Sequence, residues 1–302
     1  MPRPGCLAVT AALCAGLALP ASAQQLPVGS TVPSAGITGV AQFDADLDGG
    51  GKVKMAGVFA SASVYHQFTP EFGAGLGVRY DFEDWSFSGL NTPLGREPWS
   101  QINRPSLSFP MTWSPSPEWS FGLTPTVQWA YEDGASAGDA VVAGAVLSAT
   151  RTFSRDLRLG LGVGVYDDLD ELKAFPFLVV NWRIDDRWRL ANPFRAGPTG
   201  GAGLELIYQV NDAWEVAGGG TWRKERFRLN EDGLSPGGIG EWGSIPLFAR
   251  ASWLATSDVR LDFLAGVAVA GKLKLMDPDG NDVAEDDYDP APFLGITLRT
   301  RF

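Results

Sequence analysis

Cysteine and histidine are almost missing from this sequence, and each gap removes a class of chemistry. Both cysteines, Cys6 and Cys14, lie in an N-terminal apolar run that reads as a removable signal, so the exported chain is expected to carry no thiol. Disulfide frameworks, cysteine-metal centres and thiol nucleophiles fall away with them. The one histidine, His66, leaves a single candidate for any hydrolase that needs a histidine base. Positive charge is also in short supply. With 24 Lys and Arg against 35 Asp and Glu, the net charge is −11, which opposes a nucleic-acid partner because phosphate binding requires a basic surface. No apolar stretch reaches the roughly 20 residues that a spanning helix needs, so no transmembrane helix is predicted.

The N-terminus supplies an export signal. Arg3 forms the positive region, Cys6 to Leu19 the apolar region, and Ala21-Ser22-Ala23 a small-residue cleavage site. Residues 1–23 are therefore predicted to be removed. Residues 24–34, rich in Pro, Gly and Ser, read as a short lead-in, and residues 35–302 as the body of the protein.

What the body does have is alternation with period two. In a strand, successive side chains point to opposite faces. Phe72, Ala74, Leu76, Val78, Tyr80 and Phe82 therefore share one face, against Gly73, Gly75, Gly77, Arg79, Asp81 and Glu83 on the other. Trp119, Phe121, Leu123, Val127, Trp129 and Tyr131 repeat the pattern, as do Val259, Leu261, Phe263, Val267 and Val269 opposite Arg260 and Asp262. The chain ends the same way: Leu294, Ile296, Leu298 and Phe302 oppose Gly295, Thr297, Arg299 and Arg301. Such apolar faces do not suit water. Val141–Thr150 and Ala174–Ile184 alternate poorly, with apolar residues on both faces, and are expected to face a plugged lumen or a partner.

A turn unit also recurs, in which an aromatic strand end, a short polar turn and an apolar or aromatic strand start follow one another. It appears at Phe68–Phe72, Trp113–Trp119, Phe153–Leu157, Trp182–Trp188, Val210–Trp214 and Trp253–Val259. Ser, Thr, Asn, Asp and Pro favour tight turns because they bond locally or preset φ. The other connections are longer and more polar: Asp44–Lys52, Ser88–Asn103, Glu132–Asp139, Asp167–Lys173, Arg195–Gly201, Asn230–Gly243 and Met276–Pro290. A strand ending in Phe, lipid-type alternation and short turns opposite long loops resemble Gram-negative outer-membrane β-barrel proteins, with uncharacterised families nearest. The resemblance implies an all-β, transmembrane antiparallel barrel of about 14 strands, or about 12 if a weak strand is lost, with short periplasmic turns and long extracellular loops. The weakest strands are the first, near Ala35–Phe43, and the ninth, Arg187–Phe194, where Pro193 interrupts the pattern. The cell outer membrane is the implied location. Its lipid, its lipopolysaccharide and the barrel-assembly machinery are the implied partners, with Phe302 as the assembly signal.

Candidate chemistry is sparse. His66 shares parity with Val58, Ala60, Ala62 and Val64 and precedes a tight turn, which puts it at the periplasmic interface facing lipid headgroups. No catalytic residue and no cofactor are assigned, and an enzyme is not expected. Asp44, Asp46 and Asp48 match the first half of a calcium loop, but the twelfth position is Met55 instead of a bidentate Glu, which favours a solvated hairpin over a metal site. The acidic stretch Asp277–Asp289 reads as a solvated loop, or as one bridging through divalent cations to lipopolysaccharide. The lumen-lining candidates are Arg79, Asp81, Glu205, Arg250, Arg260, Asp262, Arg299 and Arg301, whose arginines form either a charge-selective periplasmic mouth or salt bridges within the lumen. The expected function is a passive channel or transporter for small solutes. The alternative is a closed structural or binding barrel whose long loops contact lipopolysaccharide or a protein.

Overall fold

The computed structural model of the chain describes residues 26–89, 94, 95, 97–193 and 202–301. The predicted signal and Phe302, expected to serve assembly, lie outside the described residues. Fourteen antiparallel strands close into one barrel. They are β1 (Thr31–Asp46), β2 (Lys52–Gln67), β3 (Phe72–Ser88), β4 (Gln101–Ser108 and Met111–Trp113), β5 (Trp119–Trp129 and Tyr131–Glu132), β6 (Val141–Thr152) and β7 (Leu157–Asp168). The second half comprises β8 (Glu171–Arg183), β9 (Trp188–Ala191), β10 (Gly203–Asn211), β11 (Trp214–Thr221 and Arg223–Arg228), β12 (Ile239–Leu254), β13 (Val259–Met276) and β14 (Asp282–Tyr288 and Ala291–Arg301). Among the described residues no helix is long and apolar enough to cross a membrane.

The last strand closes the ring. β14 pairs with β1 from Ser34↔Arg301 to Gln42↔Phe293, and with β13 from Val259↔Thr300 to Ala268↔Ala291. Neither face of the sheet then has a free edge there, which is how a barrel avoids unpaired backbone in lipid. The inverted faces are realised. Leu294, Ile296 and Leu298 are each about half exposed (52, 47 and 45%), whereas Thr297 between them is 1% exposed and shares a 2.9 Å hydroxyl contact with Thr38 across the lumen side of β1. Val58, Val64, Leu76, Val78, Tyr80 and Phe263 extend the same outward apolar surface around the wall. A continuous apolar surface of this kind marks a membrane-facing protein.

One device builds the six periplasmic turns. A side-chain oxygen accepts hydrogen bonds from backbone N–H groups two and three residues on, closing the turn. Thr69 serves Glu71 and Phe72, Ser154 serves Asp156 and Leu157, and Asp185 serves Arg187 and Trp188. Asn211 serves Ala213 and Trp214, Thr256 serves Asp258 and Val259, and Ser116 serves Trp119 alone. This is the local competition with the ladder that makes these residue types turn formers. The aromatic residues beside the turns pack outside the barrel, as Phe68–Phe72, Trp119–Phe121, Trp188–Tyr208 and Trp214–Trp253. They form the interfacial girdle expected of membrane barrels.

The structure departs from expectation in three places, one at the periplasmic end and two on the extracellular side. β1 begins at Thr31 instead of Ala35, because Thr31–Ser34 find ladder partners in Ser63–His66 of β2. The supposed loops Asn230–Gly243 and Met276–Pro290 are partly sheet: Ile239–Gly243 pairs with both Lys224–Arg228 and Lys272–Met276, and Asp282–Tyr288 pairs with Gly271–Met276. Pairing there is favoured by cross-strand charges, since Lys272 meets Glu285 and Asp287, and Lys274 meets Asp282 at 2.6 Å. Within the stretch Ser88–Asn103, expected to project outward, Leu94 and Trp99 are each 1% exposed and belong to the interior.

β9 is the shortest strand and breaks the wall's ladder. Among the described residues it pairs with β8 only at Asn181–Arg183, and with β10 only at Glu205–Tyr208. Asn192, just past its end, takes over. Its side-chain amide donates to the carbonyls of Leu178 at 2.8 Å and Gly203 at 2.9 Å, and its carbonyl accepts from the Val180 N–H at 2.8 Å. One side chain thus joins β8 to β10 where the following Pro193 has no N–H to offer.

Candidate functional site: the barrel lumen

The lumen is divided by chemistry along its axis. Its extracellular half is apolar and aromatic. Val53 and Met55 from β2, Trp85 from β3, Ile102 from β4, Phe227 from β11, Trp242 from β12, Leu273 and Leu275 from β13 and Phe293 from β14 all point inward and pack as one cluster. Trp99 completes it, with ring centroids 5.9 Å from Trp85 and 5.3 Å from Phe227. These positions follow from parity, since Trp85 and Phe87 continue the inward row of Asp81 and Glu83 along β3. The interior of a water-filled barrel is polar, and this half is not.

Two ion pairs sit under the aromatic cluster. Arg104 is bound to Glu83, whose other oxygen accepts from the Trp85 indole at 3.2 Å. Arg223 holds Glu225 at 2.9 Å and lies 4.8 Å over the Trp242 ring, a cation–π distance. Nearby, Arg79 meets Asp81 at 2.6 Å.

The periplasmic half is an ion-pair floor. Four guanidiniums, from Arg189, Arg250, Arg260 and Arg299, surround three carboxylates, from Glu205, Glu215 and Asp262. Asp262 is the hub: it accepts from Arg260 at 2.8 Å, from Arg299 at 2.9 Å and from the Ser252 hydroxyl at 2.5 Å, with Arg250 3.4 Å away. Arg250 in turn reaches Glu205 at 2.8 Å, and Arg260 reaches Glu215 at 2.8 Å. Seven of the eight lumen candidates therefore point inward, and five of them, Glu205, Arg250, Arg260, Asp262 and Arg299, form this single cluster. Arg79 and Asp81 form the separate pair on β3. Arg301 shares the parity of Arg299 but is exposed at the periplasmic end, because the register places it one residue beyond the last ladder pair of β14 with β13.

The two halves of the wall are also tied across the interior. β5 and β11 are not neighbours in the ring, yet the Arg228 N–H donates to the Ala130 carbonyl at 2.9 Å. Glu132 clamps the same place, accepting from the Asn230 N–H at 3.1 Å and the Ser100 N–H at 2.9 Å. This divides the extracellular half into a larger lobe, which holds the tryptophan cluster, and a smaller one formed by β6–β10. In the smaller lobe Tyr166 and Phe175 stack at 6.2 Å beside Val142, Val146 and Phe177. Gly162 and Gly164 make room for them, since a Cβ at either would overlap the Phe177 or the Phe175 ring. The poor alternation of β6 and β8 has this cause: their inward faces are apolar because that lobe is filled.

At its outer end the smaller lobe is latched by Arg226. Its guanidinium is bound to Asp170 in the β7–β8 turn and donates to the Asp168 carbonyl at 3.0 Å, with Glu241 3.4 Å away. Burial alone would raise the Asp170 carboxyl, but the hydrogen bond from Arg226 and the charges of Arg226 and Lys173 hold it below its ordinary value.

The remaining candidates stand apart from the lumen. His66 faces outward at the periplasmic interface, with Thr31 Oγ1 2.7 Å from its Nδ1 and Phe68 edge-on at 4.5 Å. Asp46 pairs with Lys52 at 3.1 Å, and the Asp48 N–H donates to the Asp287 carbonyl, so the Asp44–Asp48 segment is held as a hairpin end. Among the described residues no group of three or more His, Cys, Asp or Glu is placed to hold a metal ion. Sequence reasoning missed the buried tryptophans and Arg226, though inward parity marked Trp85.

An outward apolar surface, an aromatic girdle, short side-chain-capped turns and hydrogen-bond closure define an integral β-barrel of the outer-membrane class. A family model described as "Domain of unknown function (DUF6268)" matches residues 118–236. No curated protein matches the sequence. Among solved structures, the chain is similar to the COG4313 outer membrane channel from Pseudomonas putida F1 at 12% identity and a TM-score of 0.49, covering 95% of this chain and 100% of that one. The P. putida toluene transporter TodX follows at 11% identity and a TM-score of 0.45, covering 95% and 93%. The KdgM porin, solved with disordered oligogalacturonate, stands at 9% identity and 0.36, covering 88% and 99%. The assignment to the outer-membrane class rests on the faces and closure of the chain itself.

Proposed function

We propose that this barrel is a channel or transporter through which small, largely apolar solutes cross the outer membrane. The observation that carries this reading is the lining of the extracellular half of the lumen by Met55, Trp85, Trp99, Phe227, Trp242 and Phe293, where an aqueous pore would present polar groups. Below it, the cluster around Asp262 acts as a charged floor that excludes ions while its pairs are closed. Arg250, Arg260, Asp262, Arg299 and Glu205 set the passage at that level, with Arg79 and Asp81 lining the wall above. The lipopolysaccharide leaflet slows apolar solutes, so uptake of small apolar compounds by cells expressing the barrel should exceed uptake by cells without it. Planar-bilayer recordings should show little steady ionic conductance. Equal uptake with and without the protein would defeat the transport reading. The second reading, a closed structural or binding barrel, is favoured by the depth at which Leu94 and Trp99 are buried, and it would then stand.

A further inference from the structure

The aromatic cluster contains polar groups that its own side chains leave unmatched. The indole Nε1 of Trp99, the indole Nε1 of Trp242 and Nη1 of Arg104 are buried away from solvent and have no hydrogen-bond partner among the described residues. All three are donors. Trp85, between the two indoles at 5.9 and 5.4 Å, has its own Nε1 on Glu83, so the pattern belongs to the unmatched groups and not to tryptophan as such. A buried donor without an acceptor costs free energy, and buried polar groups of a folded protein are generally paired. The two indole donors lie in one cluster, and Arg104 is tied to it through Glu83, which accepts from the Trp85 indole; donors so grouped are complementary to an oxygen acceptor.

The charges narrow the ligand further. Arg104 is neutralised by Glu83, and Arg223 by Glu225. An added carboxylate would be an uncompensated charge in a dry site, so the acceptor should be neutral. The walls are ring faces and edges: Trp85, Trp99, Trp242 and Phe227 meet at centroid distances of 5.3–5.9 Å, the spacing of aromatic pairs. Phe87, only partly buried, caps them, stacked on Trp85 at 6.3 Å and edge-on to Trp99 at 5.5 Å. It holds the position that an incoming ring would take.

We infer that the larger lobe of the lumen binds a small, neutral, planar molecule bearing an oxygen acceptor, such as a one-ring aromatic ketone or aldehyde. The ring displaces Phe87 from Trp85 and Trp99, and the oxygen accepts from the unmatched donors. The inference refines the transport reading by naming a substrate class, but its test does not depend on transport.

Full-length barrel in detergent micelles is titrated calorimetrically with acetophenone, toluene and benzoate, each corrected against protein-free micelles. Acetophenone should bind saturably and at least tenfold more tightly than toluene, with benzoate no tighter than toluene. Trp242→Phe and Trp99→Phe keep a ring and remove the N–H, so each should weaken acetophenone three- to tenfold and leave toluene unchanged. Phe87→Ala should strengthen acetophenone severalfold. Equal binding of acetophenone and toluene, tighter binding of benzoate, or no saturable binding by wild type would each overturn the inference. The wild-type series decides this even if a variant fails to fold. Binding without cellular uptake would defeat the transport reading alone, and uptake without binding would defeat this inference alone.

Discussion

Replacing Asp262 by Asn removes one negative charge from the floor of the lumen and almost no volume. Four guanidiniums would then face two carboxylates, Glu205 and Glu215, where they now face three. Arg299 loses a carboxylate that accepts two of its hydrogen bonds, from Nε at 2.9 Å and Nη2 at 2.5 Å. Arg260 keeps Glu215, and Arg250 keeps Glu205. Breaking a buried pair by removing one partner costs about 3–5 kcal/mol. The Asn carbonyl can still accept one bond, which argues for the lower end, about 3 kcal/mol. Against a typical total stability of about 5–15 kcal/mol, that is a large fraction. Urea unfolding of the barrel folded into lipid vesicles reads the shift, with heat-modifiable migration confirming that the variant still closes. Adding Arg299→Gln to Asp262→Asn restores the charge balance, so the double variant should recover part of the loss, as coupled neighbours do. A loss below about 1 kcal/mol, the range of exposed pairs, or strict additivity in the double variant, would refute the view that these charges stabilise one another as a buried unit.

Other expectations follow from the same structure. Gly164→Val places branched carbons where the Phe175 ring sits, so it should destabilise the barrel by about 1–3 kcal/mol, and adding Phe175→Ala should relieve part of that in the same urea assay. Asn192→Ala strips three hydrogen bonds from the backbone of β8 and β10; a cost of about 1–3 kcal/mol and faster proteolysis near residues 178–192 are expected, and unchanged cleavage would sink the bridging role. Ile296→Arg puts a cation on the lipid face and should cost about 2–4 kcal/mol if it lies near the midplane, whereas Thr297→Ser, on the opposite face, should be nearly silent. The Asp170 carboxyl is held below its ordinary value in the folded protein, so the Arg226 latch contributes stability that is present above the unfolded-state value of about 3.9 and is lost as pH falls through the lower folded value. Pepsin sensitivity of the β7–β8 turn, which offers Leu169, Leu172 and Phe175 for cleavage, should therefore rise as the pH falls below that value, and Asp170→Asn should flatten that dependence.

The sequence by itself determined the architecture. Period-two alternation needs no tertiary information, because strand geometry alone sends Leu294, Ile296 and Leu298 to one side and Thr297 and Arg299 to the other. The turns were equally local: Thr69, Ser154, Asp185, Asn211 and Thr256 each close a turn with a backbone group no more than three residues away. With both readable, the barrel, the strand number and the inward placement of Arg250, Arg260, Asp262 and Arg299 followed. Only the tertiary structure decided what the inward residues do together. Parity assigns a face but not a partner, so nothing along the chain could bring Glu205 to Arg250, Asp170 to Arg226, or the Arg228 N–H to the Ala130 carbonyl across the interior. Trp99 has no strand parity at all, because it lies between β3 and β4. Its burial against Trp85 and Phe227 turns an apparent surface loop into the lining of the lumen. Alternation is a property of one strand, whereas the lumen belongs to all fourteen at once, and closure of the ring alone fixes which inward side chains meet.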